Sequence, residues 1–204
     1  MKYFFSLLSL LFIGNIYVTN AQTDPSKEPK TTLIVNLNGK EHRVVEGEKI
    51  NKDGNTITVN IAKNRTFKTQ SISFDYPTSF AFEYETVPGY KNWTFDGNNF
   101  VIMYFELSED NTLNSFVDEI TGRFGKANCK IERKSLKLGS KTLKGKRINV
   151  NLMGEKLTLD LLEINLNDGK RHIIAFQDSL NEYGTPTDEG EETLKTINKT
   201  ISYK

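Results

Sequence analysis

The sequence predicts an α+β fold in which an antiparallel sheet has helices on both faces, a three-layer α/β/α sandwich preceded by a small β-hairpin extension. Several short segments alternate apolar and polar residues, the period of half-buried strands. Two segments carry apolar residues at helical spacing. The run Val101–Phe105 is apolar at every position, which is typical of a strand covered on both faces.

Residues 1–21 have the pattern of a signal peptide. Lys2 precedes a mostly apolar run that ends at Val18, and Thr19-Asn20-Ala21 resembles a cleavage site before Gln22. The run has about 16 residues, fewer than the about 20 that a membrane anchor needs. We therefore expect cleavage near Ala21–Gln22, no transmembrane segment in the remaining chain, and a periplasmic or secreted location.

The composition excludes some classes of protein. The chain has 27 Lys and Arg against 26 Asp and Glu, and this balance argues against a dedicated nucleic-acid binder, which usually has a basic excess. The single cysteine, Cys129, has no partner for an internal disulfide. In an oxidising compartment the core alone must stabilise the fold.

The segments after the signal peptide differ in composition. Residues 22–30 contain two prolines and no large apolar residue, which predicts a disordered tether. Residues 31–70 contain short strand patterns and the turn signals Asn38-Gly39 and Asp53-Gly54. They predict a β-hairpin extension too small to fold alone.

The main domain is predicted over residues 71–204. Eleven of the 17 aromatic residues after residue 21 lie between Phe74 and Phe105. Burying one such ring contributes roughly 1.5–3 kcal/mol, so this segment should dominate the core. A hairpin with a tight turn at Asp96-Gly97 joins the strands that begin at Trp93 and Phe100.

Two helices complete the pattern. The first has an apolar stripe from Leu113 to Phe124, a cap at Asp110 or Asn111, and an end at Gly125. The second should begin with Thr185 as N-cap and Pro186 at the first helical position. Between them lies an antiparallel meander with turns at Gly154 and Asp168-Gly169, in which Leu161-Leu162 predicts a bulge or a switch of the buried face.

This order of elements resembles the PsbP-like superfamily, which includes the bacterial envelope protein DcrB. The residues that carry the resemblance are Tyr76-Pro77 in the opening strand and the segment Trp93–Asn98, followed by the first helix, the meander and the final helix. The resemblance covers about residues 71–204 and implies an α/β/α sandwich, a bacterial source and a non-catalytic binding or assembly module. The metal binding of some members does not carry over, because this chain has only His42 and His172, far apart in the sequence.

Catalytic and metal-site patterns are not found in the sequence. Cys129 lies between Lys126 and Lys130, so it is either a buried structural residue or a reactive thiol. His172 is interpreted as a surface or strand-end histidine, and Asp178-Ser179 lacks the spacing of a catalytic triad with it. No spaced His or Cys cluster points to a metal. We expect no catalytic residue, no metal and no cofactor.

Charge is distributed unevenly along the main domain. Residues 126–147 carry nine basic residues and one acid, whereas residues 178–192 carry six acids and no base. These are either solvated faces or a basic hairpin that docks on an anionic surface. The loop that contains Tyr90 and Trp93 is either part of the core or a partner-binding edge. The resulting binding candidates are Lys137, Lys141, Lys144, Lys146, Arg147, Tyr90 and Trp93.

The sequence therefore favours a non-catalytic secreted or periplasmic module that binds an unknown envelope protein or an anionic surface. Two alternatives remain open. One is a hydrolase with dispersed carboxylates, which would require a cleft where two carboxylates converge. The other is a structural envelope protein that self-associates through the β-hairpin extension.

Overall fold

The computed structural model describes residues 24–37, 39–46, 57–166 and 168–204, and for residues 57–59 it describes the backbone only. These residues form a mixed α+β structure built on open antiparallel sheets. The predicted signal peptide and the turn at Asp53-Gly54 lie outside the described residues. In chain order the elements are β1 Thr32–Leu37, β2 Lys40–Val45, β3 Ile57–Ile61, β4 Asn64–Lys68, β5 Ile72–Pro77, β6 Ala81–Val87, β7 Tyr90–Asp96, β8 Phe100–Leu107, α1 Leu113–Phe124, β9 Cys129–Leu138, β10 Lys141–Leu152, β11 Glu155–Ile164, β12 Arg171–Ser179, α2 Asp188–Thr200 and β13 Ser202–Tyr203.

The largest sheet has seven strands in the order β6-β7-β8-β12-β11-β10-β9. Every neighbouring pair in it is antiparallel. Tight turns make this arrangement possible. Between β10 and β11, for example, Met153 and Gly154 have φ values of 55° and 90°, and two left-handed residues match the twist of a hairpin.

The seven-stranded sheet has a buried cluster on each face of its interior strand β8. Ile102 and Tyr104 belong to the first core, which also contains Ile197 of α2. Met103 and Phe105 belong to the second core, which also contains Val117 of α1. The prediction that this strand is buried on both faces is confirmed.

Two smaller sheets contain the first five strands, β1 to β5, and the final strand β13. One has the order β2-β1-β3, with a small cluster of its own that contains Val35 and Val44. The other has the order β13-β5-β4. Strand β4 lies within the predicted extension, yet it pairs with β5, and its Phe67 lies in the first core. The division of the chain at residue 70 stays a prediction.

The described part of the predicted tether, residues 24–30, contacts the strands that follow it. The indole N–H of Trp93 donates to the carbonyl of Pro25. Arg65 of β4 forms an ion pair with Glu28. These contacts join the segment to β4 and β7.

Each helix is fixed at its start by a threonine. Thr112 caps α1, because its Oγ1 accepts from the backbone N of Ser115 at 3.0 Å, so the predicted cap at Asp110 or Asn111 is wrong by one or two positions. Gly125 ends α1, as predicted. Thr187 rather than Thr185 caps α2, because its Oγ1 accepts from the backbone N of Gly190 at 3.1 Å. The same hydroxyl donates to Asp178 of β12 at 2.7 Å.

No helix in the described ranges combines the length and the apolar character needed to cross a bilayer.

Candidate functional site

A groove lies on the seven-stranded sheet beside the start of α1. It has a volume of about 710 Å³ and is open to solvent. Strands β9 to β12 form its floor, and the first turn of α1 forms one wall. The residues that line it are Thr112, Leu113, Asn114, Arg133, Lys134, Ser135, Lys144, Gly145, Lys146, Glu163 and Arg171.

Positive charge dominates the groove. Five of its lining residues are basic, and Glu163 is the single carboxylate among them. Two of the five are neutralised: Lys134 lies 3.1 Å from Asp160, and Arg171 lies 2.7 Å from Glu163. The other three, Arg133, Lys144 and Lys146, form no ion pair with any residue that the structure describes.

Strand pairing increases the repulsion among these cations. Arg133 of β9 lies directly opposite Lys146 of β10, and like charges in this position destabilise a sheet. Lys144 lies opposite Glu163 of β11, but Glu163 already binds Arg171. In addition, the buried Nε of Arg171 has no hydrogen-bond partner within the described ranges. The groove thus offers positive charge that an anion would neutralise.

A second cavity of about 420 Å³ continues the groove toward the β9–β10 turn. It shares Lys144 and Glu163 with the first. Lys141 also lines it, but its Nζ donates to the carbonyl of Asn165 at 2.8 Å and lies 4.9 Å from the ring centroid of Tyr203. Lys141 is therefore held by the protein itself.

Arg147, a predicted binding residue, lies on the other face of β10 from Lys144 and Lys146, because successive side chains of a strand alternate. Its Nε and Nη2 donate to the two carboxylate oxygens of Asp160 at 2.6 and 2.7 Å. The hydrogen bond from Asp160 raises the pKa of Arg147. Arg147 is thus neutralised within the sheet. Lys137 is exposed on β9, outside the lining of the groove.

The two aromatic candidates lie on opposite faces of β7. Trp93 is 1% exposed in the first core and stacks on Tyr104 with ring centroids 5.3 Å apart. Tyr90 is half-buried against the second core, 6.0 Å from Phe105. Of the two interpretations of this loop, the core position therefore describes Trp93, and the side chains of Tyr90 and Trp93 do not form one surface.

His172 is buried completely, so its interpretation as a surface residue is wrong, although it is near the start of β12. Its Nδ1 lies 2.7 Å from the hydroxyl of Tyr104, and its Nε2 lies 2.9 Å from the carboxylate of Asp168. Both ring nitrogens are therefore hydrogen-bonded: Nε2–H donates to Asp168, and Nδ1 pairs with the hydroxyl of Tyr104. Ser71 contacts Asp168 at 3.5 Å, and among the described residues the side-chain hydrogen-bond partners of His172 are Tyr104 and Asp168. Neither cavity is lined by these residues.

Cys129 is half-buried against the second core. Burial raises the pKa of its thiol, the opposite of what a reactive thiolate requires. This favours the structural interpretation.

Other reactive groups do not converge in the described part of the chain. No group of three or more His, Cys, Asp or Glu side chains is placed to hold a metal ion there. Asp178 lies at the other end of β12 from His172. Burial raises the pKa of its carboxyl, against the hydrogen bonds from Thr187 that act in the opposite direction. Through these hydrogen bonds Asp178 fixes the start of α2 on β12.

No protein-family model matches the chain, and no curated protein does. The Ran-binding protein Mog1p of Saccharomyces cerevisiae is 8% identical with a TM-score of 0.44, over 69% of this chain and 95% of that chain. LpqN, involved in cell envelope biogenesis of Mycobacterium tuberculosis, is 14% identical with a TM-score of 0.38, over 64% of this chain and 82% of that chain. Neither similarity identifies a ligand for this chain.

Proposed function

We propose that this protein is a non-catalytic binding module, secreted or periplasmic, that docks on an anionic surface or an acidic partner through the groove beside α1. In this proposal residues 71–204 form a PsbP-like domain whose helices cover opposite faces of the seven-stranded sheet. The placement of Val117 in the second core and Ile197 in the first core supports that arrangement. The groove supplies the binding function.

The observation that carries the proposal is the cluster of Arg133, Lys144 and Lys146. Two of these cations are directly opposite each other across β9 and β10, and no described residue neutralises any of them. A sheet that serves only as a scaffold gains nothing from this repulsion. An anionic group in the groove would remove it and would also accept from the guanidinium of Arg133.

The carboxylate content of the groove favours binding over hydrolysis. Glycosidases and related hydrolases need two carboxyl groups that flank the reacting bond. Among the described residues, Glu163 is the one carboxylate that lines the two cavities. Its side chain already accepts a hydrogen bond from Arg171.

The test uses a double charge reversal, Lys144→Glu with Lys146→Glu, in the full chain. Binding is measured to immobilised dextran sulfate and to vesicles of phosphatidylglycerol and phosphatidylcholine, with phosphatidylcholine vesicles as the neutral reference. We expect the unmodified protein to bind the anionic probes with an affinity that falls steeply as salt rises. The double reversal should weaken this binding at least about tenfold, since each cation near an anionic surface contributes about 1 kcal/mol.

A matched control is Lys63→Glu with Lys68→Glu, which changes the net charge equally at two exposed positions outside the groove. It should retain most of the binding. If the two variants lose affinity equally, attraction depends on net charge alone and the groove is not the site. If the unmodified protein binds neither anionic probe at low salt, the proposed function is wrong.

A further inference from the structure

The seven-stranded sheet has two free edges. Strand β6, of seven residues, forms one edge, and strand β9, of ten residues, forms the other. Within the described ranges no strand pairs with the outer side of either one. Each edge therefore presents a row of backbone N–H and C=O groups that can pair with another strand.

The two edges have opposite charge. Strand β6 contains Glu83 and Glu85 and no basic residue. Strand β9 contains four basic residues and one acid. Two of its lysines are already paired within the molecule, Lys130 with Glu132 at 2.6 Å and Lys134 with Asp160 at 3.1 Å. Arg133 and Lys137 are the basic residues of β9 without an ion pair among the described residues.

The uncompensated charges of both edges lie on the same face of the sheet. In β6, Phe82 and Tyr84 pack against the first core, so the alternating Glu83 and Glu85 lie on the opposite face, which is that of the second core. In β9, Leu138 belongs to the first core and Leu136 packs against it. Arg133 and Lys137 therefore lie on the face of the second core too, and both are exposed.

The number of strands determines how copies can meet. Seven antiparallel strands alternate in direction, so the first and the last, β6 and β9, run the same way. A second copy translated sideways across the sheet would place its β6 parallel to β9 with corresponding faces aligned. Glu83 and Glu85, two residues apart, would then lie roughly 6.6 Å apart along β6, and Arg133 and Lys137, four residues apart, would lie roughly 13 Å apart along the adjacent β9, with the two strands about 4.8 Å from each other.

Twofold arrangements are disfavoured by the same charges. A twofold axis normal to the sheet places β9 against β9 or β6 against β6. With the axis at Ser135, the first brings Arg133 of one copy opposite Lys137 of the other; with the axis at Tyr84, the second brings Glu83 of one copy opposite Glu85 of the other. Like charges on adjacent strands repel. The charge pattern thus selects the head-to-tail contact.

We propose that copies of this protein associate head to tail by pairing the β6 edge of one with the β9 edge of the next, which extends the sheet between molecules. The contact is heterologous, so it does not close after two copies, and chains of several copies can form. It uses no residue of the predicted extension at 31–70.

The experiment measures the mass of the full chain by sedimentation at increasing protein concentration. At an ionic strength of about 0.01 M, where the Debye length is about 30 Å, the weight-average mass should rise with concentration beyond that of a dimer. It should return to the monomer value in high salt. A constant monomer mass over the accessible concentration range at low salt would overturn the proposal.

Two charge-reversal variants and their mixture test the pairing. One carries Glu83→Lys and Glu85→Lys, and the other carries Arg133→Glu and Lys137→Glu. Each variant alone presents two edges of the same sign and should stay monomeric. An equimolar mixture should associate again, since the basic β6 of one faces the acidic β9 of the other. Circular dichroism of each variant confirms that it is folded.

The remaining outcomes are also decisive. If Glu83→Lys with Glu85→Lys still associates while the β9 variant does not, β9 binds some other segment and the β6–β9 pairing is wrong. If the mixture fails to associate although both variants are folded, charge complementarity is not the basis of the contact. Glu83 and Glu85 do not line the groove, so the β6 variant tests self-association without altering the proposed anion site.

Discussion

The carboxylate of Glu189 accepts the backbone N–H of Asn99 at 2.6 Å. The same carboxylate accepts from the N–H groups of Asn98 at 3.2 Å and Phe100 at 3.1 Å. Three successive N–H groups form a concave anion site at the tip of the β7–β8 hairpin, and the first turn of α2 fills it with its own side chain. Gly190 lies next to this contact, where an added Cβ would be 2.6 Å from Asp178. The hairpin tip thus fixes the start of α2 on the sheet.

Replacing Glu189 by alanine should lower the free energy of unfolding by about 1–3 kcal/mol, because three backbone donors lose their acceptor. Urea titration followed by circular dichroism measures the change. The control is Glu192→Ala, an exposed position on the same helix, which should stay within about 0.5 kcal/mol of the unmodified chain. Equal losses in both variants would show that helix propensity, rather than the hairpin contact, is responsible.

Gly145→Ala should destabilise the protein. An added Cβ at Gly145 would lie 1.8 Å from the carbonyl oxygen of Leu161 on the adjacent strand, so the backbone of β10 or β11 must move. Overpacking of this kind typically costs about 1–3 kcal/mol or more, which a thermal melt would detect. Gly122→Ala in α1 is the matched control with the opposite expected sign. Nothing lies within 4 Å of its added Cβ, and alanine is favoured over glycine in a helix by roughly 0.5–1 kcal/mol. Unchanged stability in Gly145→Ala would contradict the close contact.

Asp160→Asn should destabilise the sheet because it leaves Arg147 and Lys134 without their shared carboxylate. Removing one partner of a fully buried ion pair costs about 3–5 kcal/mol. The side chains of Arg147 and Lys134 are 31% and 23% exposed, so a smaller loss of about 1–3 kcal/mol is expected here. The double variant Asp160→Leu with Arg147→Met should recover most of this loss, because an apolar pair of similar volume leaves fewer unpaired charges. Urea titration decides, and a double variant no more stable than Asp160→Asn would contradict the pairing argument.

Stability should depend on Asp168 in acid. Burial acts to raise the pKa of this carboxyl, but the hydrogen bond and charge of His172 and the N–H of Lys170 act against it, and the pKa lies below its ordinary value of 3.8. Because the pKa is lower in the folded state, ionised Asp168 stabilises the fold above about pH 3.8, and this contribution is lost as the pH falls below that value. Asp168→Asn should therefore be less stable than the unmodified chain at pH 7, with a difference that shrinks in acid.

The measurement for Asp168 is a set of urea titrations between neutral and acidic pH. The His172→Gln variant provides the reference, since it removes the partner that lowers the pKa of Asp168. In that background the change of Asp168 to asparagine should alter the acid dependence much less. An equally large effect with and without His172 would contradict the linkage between the two residues.

Local patterns predicted much of the fold. The unbroken apolar run of β8 predicted burial on both faces, and the stripe from Leu113 to Phe124 predicted α1 with its end at Gly125. The doubled Leu161-Leu162 predicted a bulge or a switch of the buried face. The register of β11 is continuous with β10 and β12, so no bulge occurs, and the buried face switches from Leu161 in the second core to Leu162 in the first.

The start of α2 shows where local patterns fail. Thr185-Pro186 is a favourable N-terminal pair, but the helix begins two residues later, after Thr187. The hydrogen bond from Thr187 to Asp178 decides the position, and a contact between a strand and a loop is not encoded in helix propensity. The burial of His172 depends likewise on Tyr104, a residue 68 positions earlier.

The sequence identified only some of the residues that line the groove. Lys144 and Lys146 were identified from the density of charge, but Arg133 and Arg171 reach the groove through strand pairing. The alternation of side chains along β10 could have separated Arg147 from Lys144 and Lys146, because odd-numbered and even-numbered residues of a strand lie on opposite faces. Asp160 neutralises Arg147 because the two residues are opposite each other in the β10–β11 register. A count of charges along the sequence cannot predict that register.

Trp93 is the one tryptophan in the sequence, and it lies where the segment 24–30 meets the first core. Intrinsic fluorescence excited at the indole therefore reports on a single location in the molecule. Release of that segment would expose the ring edge to water and shift its emission to longer wavelength, while the far-ultraviolet signal of the strands stays constant. The chain thus contains its own optical probe for detachment of the N-terminal segment as distinct from global unfolding.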